Sequence, residues 1–215
     1  MDGGMGGVMK TFDILALCMV AVVASFLGFH VENVWLALTQ GYMDNRNMYL
    51  PFLLGYGVAI LLIFFLFRTP ERLWFLGREI LTQSRLMRLW LYFAGVMLCV
   101  CTGEILLGKL VEKTCHFYWW DYTRIPLHIT RYTSVPTSIS YSAAITVFMD
   151  RFFEPLHDCF LEWDRDSLVF AVTVMGLLLV GDFACNAVKM YKTRGMVRRW
   201  RIDMTGSRVY KKLHA

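Results

Sequence analysis

The stretch "NRNMYLPFLLGYG", Asn45 to Gly57, joins two apolar runs and carries more polar and helix-breaking residues than a turn between helices requires. A second stretch, "TRYTSVPTSISYS", Thr130 to Ser142, places Arg131, Pro136 and Tyr141 each 85 positions after Arg46, Pro51 and Tyr56. Ser140 and Ser142 answer Gly55 and Gly57 at the same spacing. The match predicts that one helix–polar loop–helix unit is used twice in the same direction, over about residues 29–67 and 101–153.

Composition sets the class around these loops. The 215 residues are 57% hydrophobic, 15% aromatic and 18% charged, with mean hydropathy +0.46, which is more apolar surface than one soluble core of this length buries. The reading is an all-α, multi-pass protein of the cell membrane. Five apolar runs are candidate spans: Phe12 to Leu38, Tyr49 to Phe67, Leu89 to Val111, Thr137 to about Phe153, and Leu168 to Met190. A crossing needs roughly 20 residues, and the fourth run stops at Asp150-Arg151, so it is a short, part-buried or incompletely crossing helix. One membrane domain over residues 1–190 and a basic tail over 191–215 follow.

Lys10 and the run after it resemble a secretory signal, yet "CMVAVVASFLGF" continues into "HVENVW" with no small-x-small cleavage site, so a retained first helix is expected. Four of the six cysteines, Cys18, Cys99, Cys101 and Cys185, fall inside spans; Cys115 and Cys159 fall in loops. No zinc spacing or disulfide framework emerges, and no metal or cofactor is expected.

Charge placement pulls in two directions. Segment 68–88 holds five arginines and 189–212 holds nine lysines and arginines against one acid. The positive-inside rule assigns both to the cytoplasm, although three spans lie between them. Either the fourth run does not cross, or one cluster departs from the rule. Leu73, Trp74, Leu76, Ile80 and Leu81 among the arginines of 68–88 read as an interfacial helix. The basic tail reads as an anchor on anionic lipid, and so apolar a chain argues against nucleic acid as a partner.

Two glutamates interrupt the spans. Glu32 lies near the end of the first and Glu104 well inside the third. A carboxylate at membrane depth costs roughly 2.5–3.5 kcal/mol on insertion scales, so it faces protein or a wet cavity. Gly95, Cys99 and Gly103 form a small-residue stripe beside Glu104, and Gly28 and Ala24 lie one and two turns before Glu32. Either glutamate could be a tether between helices or a functional group, and Glu32 could also snorkel. Asp182, Asn186 and Lys189 mark a helix contact in the last span. Glu104 follows Glu32 by 72 positions while the loops are offset by 85, so the second copy gains residues between Glu104 and Thr130, in the interval containing "CHFYWWDYTRIPLH".

At these residues a family resemblance becomes usable. "VENVW" with "DNRNMYLPFLLGYG" resembles the first signature of the ABC-transporter type IV (CmpB-like) membrane proteins, an acidic residue ahead of an Asn-Arg-Gly…Gly-Pro…Tyr-Gly run. "GEILLGKLVEKTCHFYWWDYTRIPLHI" resembles the second, with Glu104, Glu112, Lys113, Trp119, Trp120, Asp121, Tyr122 and Pro126 in order. Coverage runs from about Phe29 to Leu156. Asn47 and Leu50 stand where the pattern has glycines, Thr123 replaces Ser, and His128 replaces Asn. The resemblance implies a permease-like component; with no Walker A motif in this sequence, ATP-driven transport implies a separate ATPase subunit.

The loops then read as polar re-entry segments that bring Pro51 and Pro136 to helix starts. Trp119, Trp120 and Tyr122 are expected as interface anchors, and Asp121 as a partner of Arg124 or Arg131. Glu32, Arg46, Glu104, Asp121 and Arg131 are the candidate solute or proton path. The leading function is transport, with membrane lipids, an ATPase subunit or a second copy as partners. Two alternatives remain: a membrane enzyme using Glu104, Asp121, His116 and His128, for which no catalytic spacing is recognised, and a lipid- or partner-binding scaffold or sensor.

Overall fold

The computed structural model describes residues 12–75, 78–80 and 84–204. Asp13 starts the first helix, its Oδ1 accepting from the Leu15 and Ala16 amides at 2.9 and 3.2 Å. Helix α1, Ile14–Gln40, ends where Gly41 takes φ 72°, a left-handed cap. A three-residue strand β1, Tyr42–Asp44, leads into the first polar loop, and α2, Leu54–Phe67, returns. Short strands follow: β2, Arg68–Thr69; β3, Arg72–Phe75; β4, Arg78–Glu79. Helix α3, Arg85–Cys115, is capped by Ser84. The second loop holds β5, His128–Thr130, and β6, Thr133–Ser134. Then come α4, Val135–Arg151, α5, Phe153–Leu161, α6, Arg165–Thr193, and strand β7, Arg201–Asp203.

The chain is mostly helical, and among the described residues three helices, α1, α3 and α6, are long and apolar enough to cross a membrane. At 1.5 Å per residue α2 reaches about 21 Å and α4 about 25 Å, against a hydrocarbon layer of roughly 30 Å. Each of the five expected runs holds a helix, the second only from Leu54 onward, and three of the five have full spanning length.

The expected interfacial helix over 68–88 is corrected. Arg68 leaves α2 at φ 61°, Pro70 stands where a continuing helix would need an amide, and the chain instead forms the antiparallel meander β2-β3-β4. Leu73 of β3 is driven into the core, Ile80 packs against that core, and Trp74 is half-buried. Leu76 and Leu81 lie outside the described residues.

Contacts sort the molecule into two ends. At the first, Arg165 Nη1 meets Asp13 Oδ2 at 2.8 Å, Thr69 Oγ1 donates to Glu154 at 2.9 Å, and Arg85 reaches Asp150 at 3.0 Å. At the second, β1 pairs antiparallel with β7, Tyr42 opposite Asp203. Helices α1, α3 and α6 run from first end to second, while α2 and α4 run back. Two antiparallel pairs, α1 with α2 and α3 with α4, thus carry their long loops at one end, and α5 turns the chain into α6. The described residues of the two basic clusters sit at opposite ends of the bundle, and α4 runs back from the second end to the first.

The main core lies toward the first end, where Leu17 and Val20 of α1 meet Ile63 and Phe64 of α2, Tyr92 and Val96 of α3, and Phe153 and Leu168. Phe64 stacks on Phe153 at 4.8 Å between centroids. Large apolar side chains such as Leu98, Phe170 and Leu177 are exposed on the outer faces, the surface expected against lipid. Of the small-residue stripe on α3, Gly95 does meet a neighbour: a Cβ there would lie 3.0 Å from the Phe67 ring. Gly103 has nothing within 4 Å of such a Cβ, so close packing at that position is corrected.

Candidate functional site

Asn45-Arg46-Asn47 is held by contacts in three directions. Arg46 and Asn47 both have positive φ, 48° and 67°. Asparagine tolerates the left-handed region better than other non-glycine residues, which accounts for Asn47 at a position where the family pattern has glycine. Leu50, at the other such position, is not left-handed. Asp44 Oδ1 accepts the Arg46 amide at 2.8 Å, closing the turn, and Asn33 of α1 accepts the Asp44 amide at 2.9 Å. Asn45 Oδ1 accepts from the Arg199 amide at 2.9 Å, and Asn47 Oδ1 from the Val197 amide at 2.8 Å. The two asparagines flanking Arg46 thus clamp the C-terminal segment.

Arg46 turns the other way. Its Nε donates to Glu32 Oε2 at 2.7 Å, Nη2 meets the same oxygen, and Tyr56 donates to Oε1 at 3.0 Å. The two charged side chains are 18% and 20% exposed, so the pair is mostly withdrawn from solvent. The last helix binds the loop as well: Asp182 accepts from the Tyr49 and Leu50 amides, Asn186 donates to Asp182, and Arg199 Nη2 donates to Asn186 at 2.6 Å. Lys189 contacts the Tyr49 hydroxyl. The expected helix contact at Asp182, Asn186 and Lys189 is a loop tether.

Pro136 lies in the first turn of α4, as expected, whereas Pro51 stands three residues before α2, inside the loop. The expected equivalence of the two prolines is therefore corrected.

The second loop is more open. Arg131 Nε lies 3.6 Å from Asp121 Oδ2, with side chains 39% and 44% exposed. The Thr123 amide donates to Asp121 Oδ1 at 2.9 Å and, with the Arg131 and Arg124 charges, holds the Asp121 carboxyl below the usual carboxylate range. Trp120 donates its indole N–H to the Tyr132 carbonyl at 2.8 Å. Trp119 packs against two buried clusters, one of Phe29, Met48 and Leu53 and one of Val111, Cys115 and Met190. His116 caps α3 and His128 lies on β5, both exposed.

The two helix pairs meet through tyrosines. Tyr56 and Tyr141 face each other with centroids 6.3 Å apart, and Tyr122 brings a third hydroxyl to Tyr141. Glu104 completes the cluster beside the Thr133 and Ser138 hydroxyls, within electrostatic reach of Glu32. Its Oε2 is buried with no hydrogen-bond partner. Leaving such an acceptor unsatisfied costs about 1–3 kcal/mol or more. Glu32, Arg46 and Glu104 are thus brought together, and the Asp121–Arg131 pair stays on the exposed loop. Among the described residues no group of His, Cys, Asp and Glu could hold a metal ion.

One pattern went unread in the sequence. Gly28-Phe29-His30-Val31-Glu32 and Gly108-Lys109-Leu110-Val111-Glu112 share the form Gly-x-x-Val-Glu. In each, a tyrosine ring lies on the glycine, Tyr56 on Gly28 and Tyr132 on Gly108, and an added Cβ would come within 2.3 Å of it. In each, the same tyrosine donates to the glutamate, Tyr56 to Glu32 and Tyr132 to Glu112. By contact, then, Glu112 answers Glu32. Glu104, four residues before Gly108, stands where α1 has Ala24.

These loops and the helices they join are the region that carries the family resemblance. The family model described as "Putative ABC-transporter type IV" matches residues 19–187, most of the chain. The chain belongs to this family. Its matched region takes in both polar loops, the tyrosine contact and Asp182, and stops before the clamped segment at Val197 to Arg199. No curated protein and no solved structure matches. Family membership and the three apolar helices among the described residues together support a membrane protein.

Proposed function

We propose that this chain is the permease-like, multi-pass component of a transport system in the cell membrane, and that Glu104 exchanges protein partners for solute or protons. One observation carries the reading: Glu104 offers a buried, unpaired carboxylate oxygen at a helix position where the first unit has only Ala24. Glu32 and Glu112 are each committed to a tyrosine, and Glu32 to Arg46 as well. Groups committed in this way suit a frame, whereas a carboxylate that keeps one buried oxygen free, beside its Thr133 and Ser138 partners, suits a site.

In this reading the two helix pairs are copies of one unit, and the transport path follows the seam between them. Glu32 with Arg46 fixes one wall. Asp121 and Arg131, exposed and loosely paired, guard the loop-side mouth, with Trp119, Trp120 and Tyr122 holding that loop at the headgroup level. A separate ATPase subunit supplies the energy, and membrane lipids or a second copy cover the outer faces.

Purified protein in liposomes, with and without candidate ATPase subunits, is the test. Solute libraries are screened by flux and by ligand-induced shift of the thermal midpoint. The reading predicts a solute that gives both responses, with Asp121→Asn weakening uptake. A folded chain that moves and binds nothing with every partner opposes it.

A further inference from the structure

Ser138, Ser142, Thr146 and Asp150 follow one another every four residues along α4. Steps of four residues turn the row by about 40° each, so it winds slowly over the roughly 18 Å from first to last. All four are withdrawn from the surface: Ser138 and Ser142 are 0% exposed, Thr146 8%, and the Asp150 side chain 7%. At one end Ser138 Oγ meets Cys101 Sγ at 3.2 Å and Thr133 Oγ1 at 2.9 Å, beside Glu104. At the other, Asp150 meets Arg85 at 3.0 Å and Arg151 at 2.9 Å. The row spans the bundle from the glutamate to the first end.

A helical hydroxyl has a ready partner in the carbonyl four residues back. Ser25, Thr114, Ser140 and Thr173 each take it, at 2.8 or 2.9 Å. Ser142 and Thr146 do not. Their Oγ and Oγ1 atoms are buried without any hydrogen-bond partner, as is Glu104 Oε2. Three such atoms along one helix pair form a polar lining with no protein partners, which is the setting that ordered water fills.

We propose that Ser138, Ser142, Thr146 and Asp150 line a water-filled half-channel through which protons reach Glu104 from the first end of the bundle. The inference rests on Glu104 being the transport site and names the proton as a species it handles. A proton enters at the Asp150 end and passes by relay: each water or hydroxyl accepts one proton and releases another, and Oε2 of Glu104 gains the last in a new O–H bond. No other atom changes hands. Glu104 is faced by Thr133, Ser138 and Tyr141 from β6 and α4, by Tyr122 from the loop, and by the Glu32 charge from α1. Arg85 and Arg151 face Asp150 at the mouth and compete with an incoming proton for it.

The test uses full-length protein in liposomes and two readouts. First, Ser142→Cys and the lipid-facing control Val147→Cys are treated with a small charged thiol reagent, and each site is followed by mass spectrometry beside the exposed native Cys159. The half-channel predicts modification of Ser142→Cys at a rate comparable to Cys159, and no reaction at Val147→Cys. Second, after a pH jump, the infrared carboxyl band that Glu104→Gln abolishes is followed in time. Ser142→Val with Thr146→Val slows its rise at least about tenfold, and Thr173→Val does not. An inert Ser142→Cys, or a band rise unchanged in the double variant, overturns the inference. If that occurs while Glu104→Gln still blocks solute flux, the half-channel alone falls. Normal flux through Glu104→Gln removes the transport reading, and the half-channel with it.

Discussion

The rings of Tyr56 and Tyr141 meet at 62° with centroids 6.3 Å apart, joining the two helix pairs at a point where one ring's hydroxyl also holds Glu32. Tyr56→Phe keeps the ring contact and removes only the bond to the carboxylate. A hydrogen bond to a charged group contributes about 1.5–3 kcal/mol, so Tyr56→Phe is expected to lose that much stability. Unfolding in mild detergent measures it. A loss no larger in wild-type background than in Glu32→Gln would detach Tyr56 from Glu32.

Close approach of α2 to α1 gives a second expectation. An added Cβ at Gly57 would lie 2.4 Å from the Ala21 carbonyl oxygen, and one at Gly28 2.3 Å from Tyr56. Gly57→Ala and Gly28→Ala should each destabilise by about 1–3 kcal/mol through forced separation of the helices. Gly103→Ala, with open space around it, should instead gain up to about 1 kcal/mol of helix propensity. Thermal midpoints of the three variants decide the point, and equal shifts would contradict the packing described.

The clamp on the C-terminal segment predicts an unusual order of severity at Asn47. Glycine suits the φ of 67° but loses the bond to the Val197 amide; alanine loses the bond and adds left-handed strain of about 1–2 kcal/mol. Asn47→Ala should therefore be the less stable variant by roughly that amount. Hydrogen exchange at Val197 should quicken equally in both.

The membrane class, all five helical runs and the two polar loops were legible in the sequence, because apolar length and loop polarity are local properties. The β meander after α2 was not. Arginines and leucines in 68–88 fit an amphipathic helix by composition, and only the Arg68 turn and Pro70 redirect the backbone. The Asp182 to Tyr49 tether was half legible: Asp182 and Asn186 share a helix face, but a partner 133 residues away leaves no local sign. Pairing Glu32 with Glu104 followed from each standing in a helix ahead of a polar loop, despite an offset of 72 against the loops' 85, while the contact that matters, a tyrosine on glycine and glutamate four residues apart, repeats at Gly108 and Glu112. The two Gly-x-x-Val-Glu segments carried that signal.

Placement of the two basic clusters at opposite ends predicts opposite accessibility. Arg72→Cys and Arg198→Cys, both exposed positions, should react with an impermeant thiol reagent from opposite sides of sealed vesicles. Modification of both from the same side would mean that an odd number of helices does not separate them.

The central claim is that Glu104 works rather than tethers, and paired measurement of flux and thermal midpoint on Glu104→Gln tests it most directly. Gln keeps the shape and removes the charge that Oε2 carries unpaired, so the account predicts an unchanged or higher midpoint together with loss of solute flux by at least about tenfold. Flux at the wild-type level in folded Glu104→Gln, or a loss of flux that only tracks a fall in midpoint, would contradict it.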